Sequence, residues 1–289
     1  MSITGQLARM ARPVVERFPK AARAYRYARD SMESHDEPRE TSMGFRLAGS
    51  TAMQEGRFEP EETALVERLL GKVDVLVNVG ANIGYYCCHA LRRGKHVVAF
   101  EPIHSNLQLL YRNMKANHWE NQIEVFPLAL SDKAGLIEIY GGGTAASLVR
   151  GWAGTPDHYV TLVPTSTLDL VLGSRFHGQR SLVLVDIEGA ERQMLQGAEN
   201  MLARAPKPLW MVEIQVSEHQ PKGTVINPNL VSTFQLFWDH GYEAWTANQQ
   251  PRRIGPGDVE STARSGRDAL LTHNFLFLEA GQGMEVLRS

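Results

Sequence analysis

From about residue 60 onward, short apolar runs alternate with amphipathic stretches. The runs, bounded by glycine or polar clusters, predict β-strands over 73–79, 96–101, 122–129, 181–187, 208–215, 242–247 and 274–279. The spacing between them predicts helices over 83–93, 103–117, 189–203 and 229–240. One more helix opens at Pro60, whose fixed φ suits a first helical position. It runs to Leu70, with Glu61 and Glu62 complementing its positive end. Such alternation predicts an α/β fold: a mostly parallel, seven-stranded sheet with helices on both faces. The last two strands are separated by a polar segment, Gln249 to Leu271, with no convincing crossover helix, so an antiparallel pairing is expected there.

An insertion of about residues 135–180 separates the third and fourth strands. Within it, 135–140 reads as a strand, 141–147 as a flexible glycine-rich loop and 167–172 as a short helix. Insertions at the carboxyl ends of strands usually shape a substrate site. Residues 44–58 alternate apolar and polar positions among glycines, a pattern of short strands or a lid. Ahead of them, Pro13 and Pro19 restrict helix to about 20–30, and 31–40 is a polar linker. The expected organisation is an extension over 1–43 and one Rossmann-like domain over 44–289.

Composition adds exclusions. The chain of 289 residues is 43% hydrophobic and 21% charged, enough for one large domain with a buried core. A net charge of −2 excludes a generally basic nucleic-acid binder. Residues 1–30 nevertheless carry about +5, leaving about −7 for the remainder. That arm reads either as a solvated helix at the domain edge or as a peripheral membrane contact. Cys87 and Cys88 are adjacent in a predicted helix and have no distant partner, so no structural disulfide is expected. With no membrane-length apolar run and no secretory signal, the expected location is the cytoplasm, or the inner membrane face if the arm docks there.

The chemistry concentrates at two strand ends. The run 73–79 leads into Gly80-Ala81-Asn82-Ile83-Gly84, and 21 residues after Gly80 a second apolar run ends in Glu101. Glycines let the backbone approach a ligand, and a carboxylate at this spacing accepts hydrogen bonds from ribose hydroxyls. A tight turn beside a surface acid is the plain alternative, and the acid's position after a second strand argues against it. The pattern is not G-x-G-x-x-G. Asn82 stands where a glycine would admit a pyrophosphate, Tyr85 and Tyr86 follow at once, and no Lys-Ser or Lys-Thr closes a phosphate loop. A ribose without a phosphate fits better, and S-adenosylmethionine is the obvious cofactor.

The second cluster is Asp186, Glu188 and Glu191, three carboxylates at the end of the apolar run 181–185. Burying that much charge without partners is costly, so these acids belong at the crevice lip. Glu213 ends the next strand along. Asp186, Glu188 and Glu213 are the catalytic candidates, able to take a hydroxyl proton or to hold a divalent cation such as magnesium. Glu191, and by an even choice Glu188, also read as acids that merely charge the first turn of the following helix.

These residues resemble, in order, the motifs of FkbM-type methyltransferases: Asn78 to Tyr85, Ala99 to Pro102 with Asn106, Ala129 to Asp132, Thr167 to Asp169, and Asp186 to Glu191. Gly44-Phe45 and Met53 to Glu59 resemble the segment that precedes that domain. The resemblance covers roughly 44–245 and implies a class I methyltransferase fold and use of S-adenosylmethionine. It also implies action mostly on hydroxyls of sugars or natural products. It further implies that Gly80, Asn82 and Gly84 line the methionine and ribose portion, with Asn78 and Tyr85 beside them. Glu101 would hold the ribose, Ile103, Ala129 and Leu130 would flank adenine, and Asp186 would sit by the reactive methyl. One position departs from the family, which usually has Asp where this chain has Asn78; an amide cannot neutralise an ammonium.

The expected function is therefore O-methylation of a sugar hydroxyl in a glycan, glycolipid or glycosylated metabolite. A polyketide or peptide acceptor, through oxygen or nitrogen, and a non-catalytic cofactor-binding scaffold are the alternatives. Among the histidines, His89 reads as structural and His104 as solvent-exposed, while His158 and His177 are minor candidates near substrate. Trp152 and Tyr159 read equally as sugar-stacking rings or as packing.

Overall fold

A computed structural model of the chain describes residues 37–143, 146–248 and 250–283. The basic arm expected over 1–30, and any membrane contact through it, lie outside the described residues. In chain order the first elements are β1 (Arg39–Glu40), β2 (Arg46–Leu47), α1 (Thr51–Gln54), α2 (Pro60–Leu70), β3 (Val75–Val79), α3 (Tyr85–Arg92) and β4 (His96–Phe100). Next come α4 (His104–Ala116), β5 (Ile123–Phe126), β6 (Ala129–Leu130), β7 (Gly135–Tyr140), β8 (Val160–Ser166), α5 (Leu168–Leu172) and β9 (Ser181–Val185). The chain continues through α6 (Glu191–Gln196), α7 (Glu199–Leu202), β10 (Leu209–Glu213) and α8 (Leu230–Asp239). It ends with β11 (Tyr242–Thr246), β12 (Arg253–Ile254), α9 (Pro256–Ser265) and β13 (Asn274–Glu279).

The main sheet runs β12-β11-β13-β10-β9-β3-β4-β5. The five strands from β10 to β5 are parallel. β13 inserts antiparallel between β10 and β11. Every residue of β3 and β9 is buried, as the unbroken apolar runs require of strands covered on both faces. Alternate side chains feed opposite layers. Leu76, Val97 and Leu182 pack under α2, α3 and α4, while Val77, Val98 and Val183 pack against α5 to α8. From β3 the chain moves outward to β4 and β5, then returns to the other side of β3 as β9. That reversal leaves a crevice at the carboxyl ends of β3, β4 and β9.

Several expectations change. The sheet has eight strands rather than seven, because β12 adds an edge to β11. The segment expected to lack a helix contains α9. Only Val259 and Thr262 of that helix are buried, so its apolar stripe is too thin to read, yet Asp258 accepts from the Gly255 amide at its start (2.8 Å). The strand expected over 122–129 breaks at Pro127 into β5 and β6, since proline cannot donate to a ladder. The helix expected over 189–203 divides into α6 and α7 at Gly197, where a Cβ would stand 2.1 Å from the Ser131 carbonyl oxygen. β6 and the insertion strands β7 and β8 form a small second sheet; within the insertion only β7 was expected. β8 was missed because Pro164, exposed Thr161 and exposed Leu162 blur any alternation in it.

Residues 44–58 are packed rather than free. Phe45, Leu47, Ala48 and Met53 are buried, and Asn113 on α4 clamps Ala48 through both its amide and its carbonyl. The β1–β2 hairpin spans the expected boundary at residue 43. Among the described residues, no helix is long and apolar enough to cross a membrane.

Candidate active site

The turn after β3 is built on three left-handed residues: Gly80 (φ 81°), Asn82 (φ 50°) and Gly84 (φ 82°). The Gly80 and Ala81 amides donate to the Phe100 carbonyl (3.0 and 2.9 Å), locking the turn to the end of β4. At Gly80 a Cβ would lie 1.8 Å from the Asp186 carbonyl oxygen, so only glycine lets the ends of β3 and β9 meet. Gly84 borders neither cleft described below. A Cβ there would press on Leu110 at 3.2 Å, and its part is to let α3 approach α4.

Two clefts open on this turn. The first, with about 590 Å³ of open space, is bordered by Gly80, Asn82, Glu101, Ile103, Ala129, Leu130 and Asp186, with further apolar wall from Phe100, Leu128 and Ile139. The second, with about 570 Å³, is bordered by Asn78, Tyr85, Tyr86, Glu59, Glu62, Asp186, Glu213 and Asn274. Gly80, Asn82 and Asp186 belong to both. The structure thus brings the predicted residues of β3, β4, β6 and β9 around one crevice.

Glu101 is the polar centre of the first cleft and is only 3% exposed. One carboxylate oxygen accepts from the Ile103 amide (2.8 Å) and from Asn106 Nδ2 (3.2 Å), and the other accepts from the Asn82 amide (2.8 Å). Burial raises its carboxyl to about 7, against the pull of those three donors. The side-chain oxygen of Asn82 is buried and has no partner, which is costly unless a ligand donates to it. Asn78 on β3 is buried, and its amide nitrogen approaches Cys87 Sγ on α3 at 3.4 Å.

The second cleft is strongly acidic. Asp186 is exposed to the open space of both clefts. Partial desolvation by the cleft walls, followed by the neighbouring Glu213, Glu188, Glu59 and Glu101 carboxylates, holds its carboxyl well above the usual range. Burial and Glu188 raise Glu213 to about 8, although Gln215 Nε2 donates to it (2.6 Å). Glu59 is raised by burial and by Glu62, with Tyr86 Oη donating to it at 2.7 Å.

Glu188 borders neither cleft. Its backbone is left-handed (φ 55°), and its carboxylate accepts from Trp152 Nε1 at 2.7 Å. Glu191 is buried, accepts from the Gly189 amide (2.8 Å) and is raised to about 8 by burial. Trp152 is likewise buried, packed so closely on Gly189 that a Cβ there would meet its ring at 2.6 Å. A ring so enclosed cannot stack on a sugar. His89 is buried with Nδ1 bonded to Glu67, whereas His104 and His158 are exposed. His177 precedes β9 and so stands at the opposite end of the strands from the crevice. The second cleft adds residues not expected at the site, Glu59, Glu62, Tyr86 and Asn274, from segments that carry no catalytic motif in the sequence. His219 lies 3.7 Å from Glu188 across an imidazole–carboxylate pair, outside both clefts. Among the described residues, no group of three or more His, Cys, Asp or Glu side chains is arranged to hold a metal ion.

The methyltransferase FkbM domain family matches residues 78–244, more than half of the chain. The chain belongs to the FkbM methyltransferase family. It is accordingly an S-adenosylmethionine-dependent methyltransferase, and the crevice at the switch point of its sheet suits that cofactor. No curated protein matches the chain. Among solved structures it is similar to a candidate O-methyltransferase from Klebsiella pneumoniae, with 13% identity and a TM-score of 0.42, covering 88% of this chain and 89% of that one. It is also similar to precorrin-6y C5,15-methyltransferase from Geobacter metallireducens GS-15, with 11% identity and a TM-score of 0.38, covering 68% and 78%. A third similar structure is the bifunctional kinase-methyltransferase WbdD, with 12% identity and a TM-score of 0.39; the match covers 80% of this chain and 40% of WbdD.

Proposed function

We propose that this FkbM methyltransferase transfers a methyl group to a hydroxyl of a sugar, carried by a glycan, a glycolipid or a glycosylated metabolite. The observation that carries the reading is Asp186, a carboxylate shared by both clefts and surrounded by other acids. Its raised affinity for protons suits a general base working near neutral pH. Sugars present several hydroxyl donors, and an acid-rich lip offers acceptors for them.

The residues fit the cofactor. Glu101 would accept from ribose hydroxyls, the partnerless Asn82 oxygen would receive a donor, and Ile103, Ala129 and Leu130 would cover the adenine face. When bound, S-adenosylmethionine supplies an electrophilic methyl on a sulfonium and departs as the neutral thioether. Asp186, shared by both clefts, would take the proton of the acceptor hydroxyl as its oxygen attacks that methyl. Glu213, on the neighbouring strand, raises the proton affinity of the site. Glu188, tied to Trp152, positions the loop that follows Asp186. A nitrogen acceptor is the second reading, favoured by the same acids, since an amine arrives as a cation.

A screen of glycan, glycolipid, polyketide, peptide and amine acceptors with labelled cofactor, with and without magnesium, tests the proposal. Transfer to a sugar hydroxyl supports it, and transfer confined to amines overturns it. In that assay Asp186→Asn is expected to cut turnover by about a hundredfold or more while leaving S-adenosylhomocysteine affinity within a few-fold. Full activity would remove Asp186 from the chemistry.

A further inference from the structure

We infer that Glu59, at the start of α2, is the anchor for the ammonium of the cofactor's amino-acid end, a task that Asn78 at the end of β3 cannot perform. This rests on the cofactor reading above. The order of the two clefts sets the direction. The first holds the ribose acceptor Glu101 and the apolar adenine walls, and the shared residues Gly80, Asn82 and Asp186 lead into the second. The amino-acid end must therefore lie among the residues that only the second cleft contains. There the lining offers four carboxylates, Glu59, Glu62, Asp186 and Glu213, and among the described residues no lysine or arginine. Four acids facing one cleft favour a cationic group of the ligand there.

Glu59 is the acid in it best placed for the task. Asp186 stands at the junction of the clefts, on the acceptor side of the site. Glu213 is bonded to Gln215 (2.6 Å), and Glu62 Oε1 accepts from Asn274 (3.4 Å). Glu59 likewise accepts one hydrogen bond, from Tyr86 Oη, whose ring packs edge-on against Tyr85, so the three acids are separated by backbone rather than by partners. Its backbone is independent testimony. Glu59 has φ 39° and ψ 62° immediately before Pro60. Left-handed backbone is uncommon for any side chain but glycine, and a following proline disfavours helical conformations further. Such a geometry persists where the surroundings impose it, and it turns this carboxylate into the cleft rather than along the helix. Burial and the neighbouring Glu62 also raise the proton affinity of Glu59, against the Tyr86 hydrogen bond and the nearby His273 imidazole.

The test compares two ligands on the full chain by isothermal titration. S-adenosylhomocysteine carries the amino-acid end; methylthioadenosine keeps the adenosine and thioether and lacks it. Glu59→Gln preserves an acceptor for Tyr86 and removes the charge. The expected result is S-adenosylhomocysteine binding weakened about tenfold or more, with methylthioadenosine binding unchanged. Unchanged methylthioadenosine affinity also certifies that the variant is folded. Equal affinity of variant and parent for S-adenosylhomocysteine overturns the assignment, as does parallel loss of both ligands. Failure of the unaltered chain to bind either ligand would instead overturn the cofactor reading on which the inference rests.

Discussion

The two clefts that share Gly80, Asn82 and Asp186 are built in different ways. The first takes its walls from the ends of β3, β4, β6 and β9 and from the turns that directly follow them. Its polar centre, Glu101, is satisfied by three donors, two of them within five residues of it in sequence. The second gathers Glu59 and Glu62 from α2, Tyr86 from α3, Glu213 from β10 and Asn274 from β13. One is a local motif set on a switch point; the other is a meeting of distant acidic segments. A motif for a nucleoside can be written into a short stretch of chain, whereas the acids of the second cleft come together only in the folded domain.

The sharpest way to break the comparison is to damage the seam. Gly80→Ala would set a Cβ against the Asp186 carbonyl at a left-handed position. We expect a loss of stability of about 3–4 kcal/mol and weakened binding of both ligands, read by thermal melting and titration. A variant as stable as the parent would show that β3 and β9 need not meet at this distance.

A smaller effect separates the halves. Glu101→Ala should weaken S-adenosylhomocysteine and methylthioadenosine alike, by about a hundredfold, because both carry the ribose that two carboxylate bonds would hold. Selective loss of one ligand would mean that the first cleft does not take the ribose. Set beside the Glu59 variant, it assigns each half of the cofactor to its cleft.

The gentlest probe is pH. Glu101 is raised to about 7, and Glu191 and Glu213 to about 8, from an ordinary 4.5. Between those values the folded ligand-free protein holds protons that the unfolded chain releases, so its stability falls as pH rises from about 5 to about 8. Ligand binding runs the other way, because hydrogen bonds and a cation favour the ionised acids. Affinity should therefore rise with pH, and more steeply for S-adenosylhomocysteine, which faces the second cleft's acids as well as Glu101. Titrations at about pH 6 and 8 check this, and equal slopes would dissolve the distinction between the clefts.

Legibility follows the same division. The strands that became β3, β9, β10 and β13 were readable because burial on both faces leaves unbroken apolar runs. Gly80 and Glu101 were readable because a turn and a carboxylate at a set spacing are local events. β12 and α9 escaped, since an edge strand of two residues and a helix with two buried positions carry almost no periodic signal. Glu59 was visible as the end of the Met53–Glu59 segment that precedes the domain and as the residue before a helix-opening proline, not as a site residue. Trp152 read as readily for stacking as for packing, and its contact with Glu188, 36 residues away, settled which.

By itself, then, the chain's pattern determined the parallel sheet, its antiparallel final pairing, the glycine turn and the acid opposite it. Each is dictated by short-range constraints: which residues can be buried together, which φ values a turn demands, and where a carboxylate falls after a strand. Only the tertiary structure decided that Asp186 joins two clefts, that Glu188 turns to Trp152, and that an acid from α2 faces the space beside Asn78. Those are relations between segments far apart in sequence. Their energies come from burial and from the fields of neighbouring charges, which exist only once the segments have met.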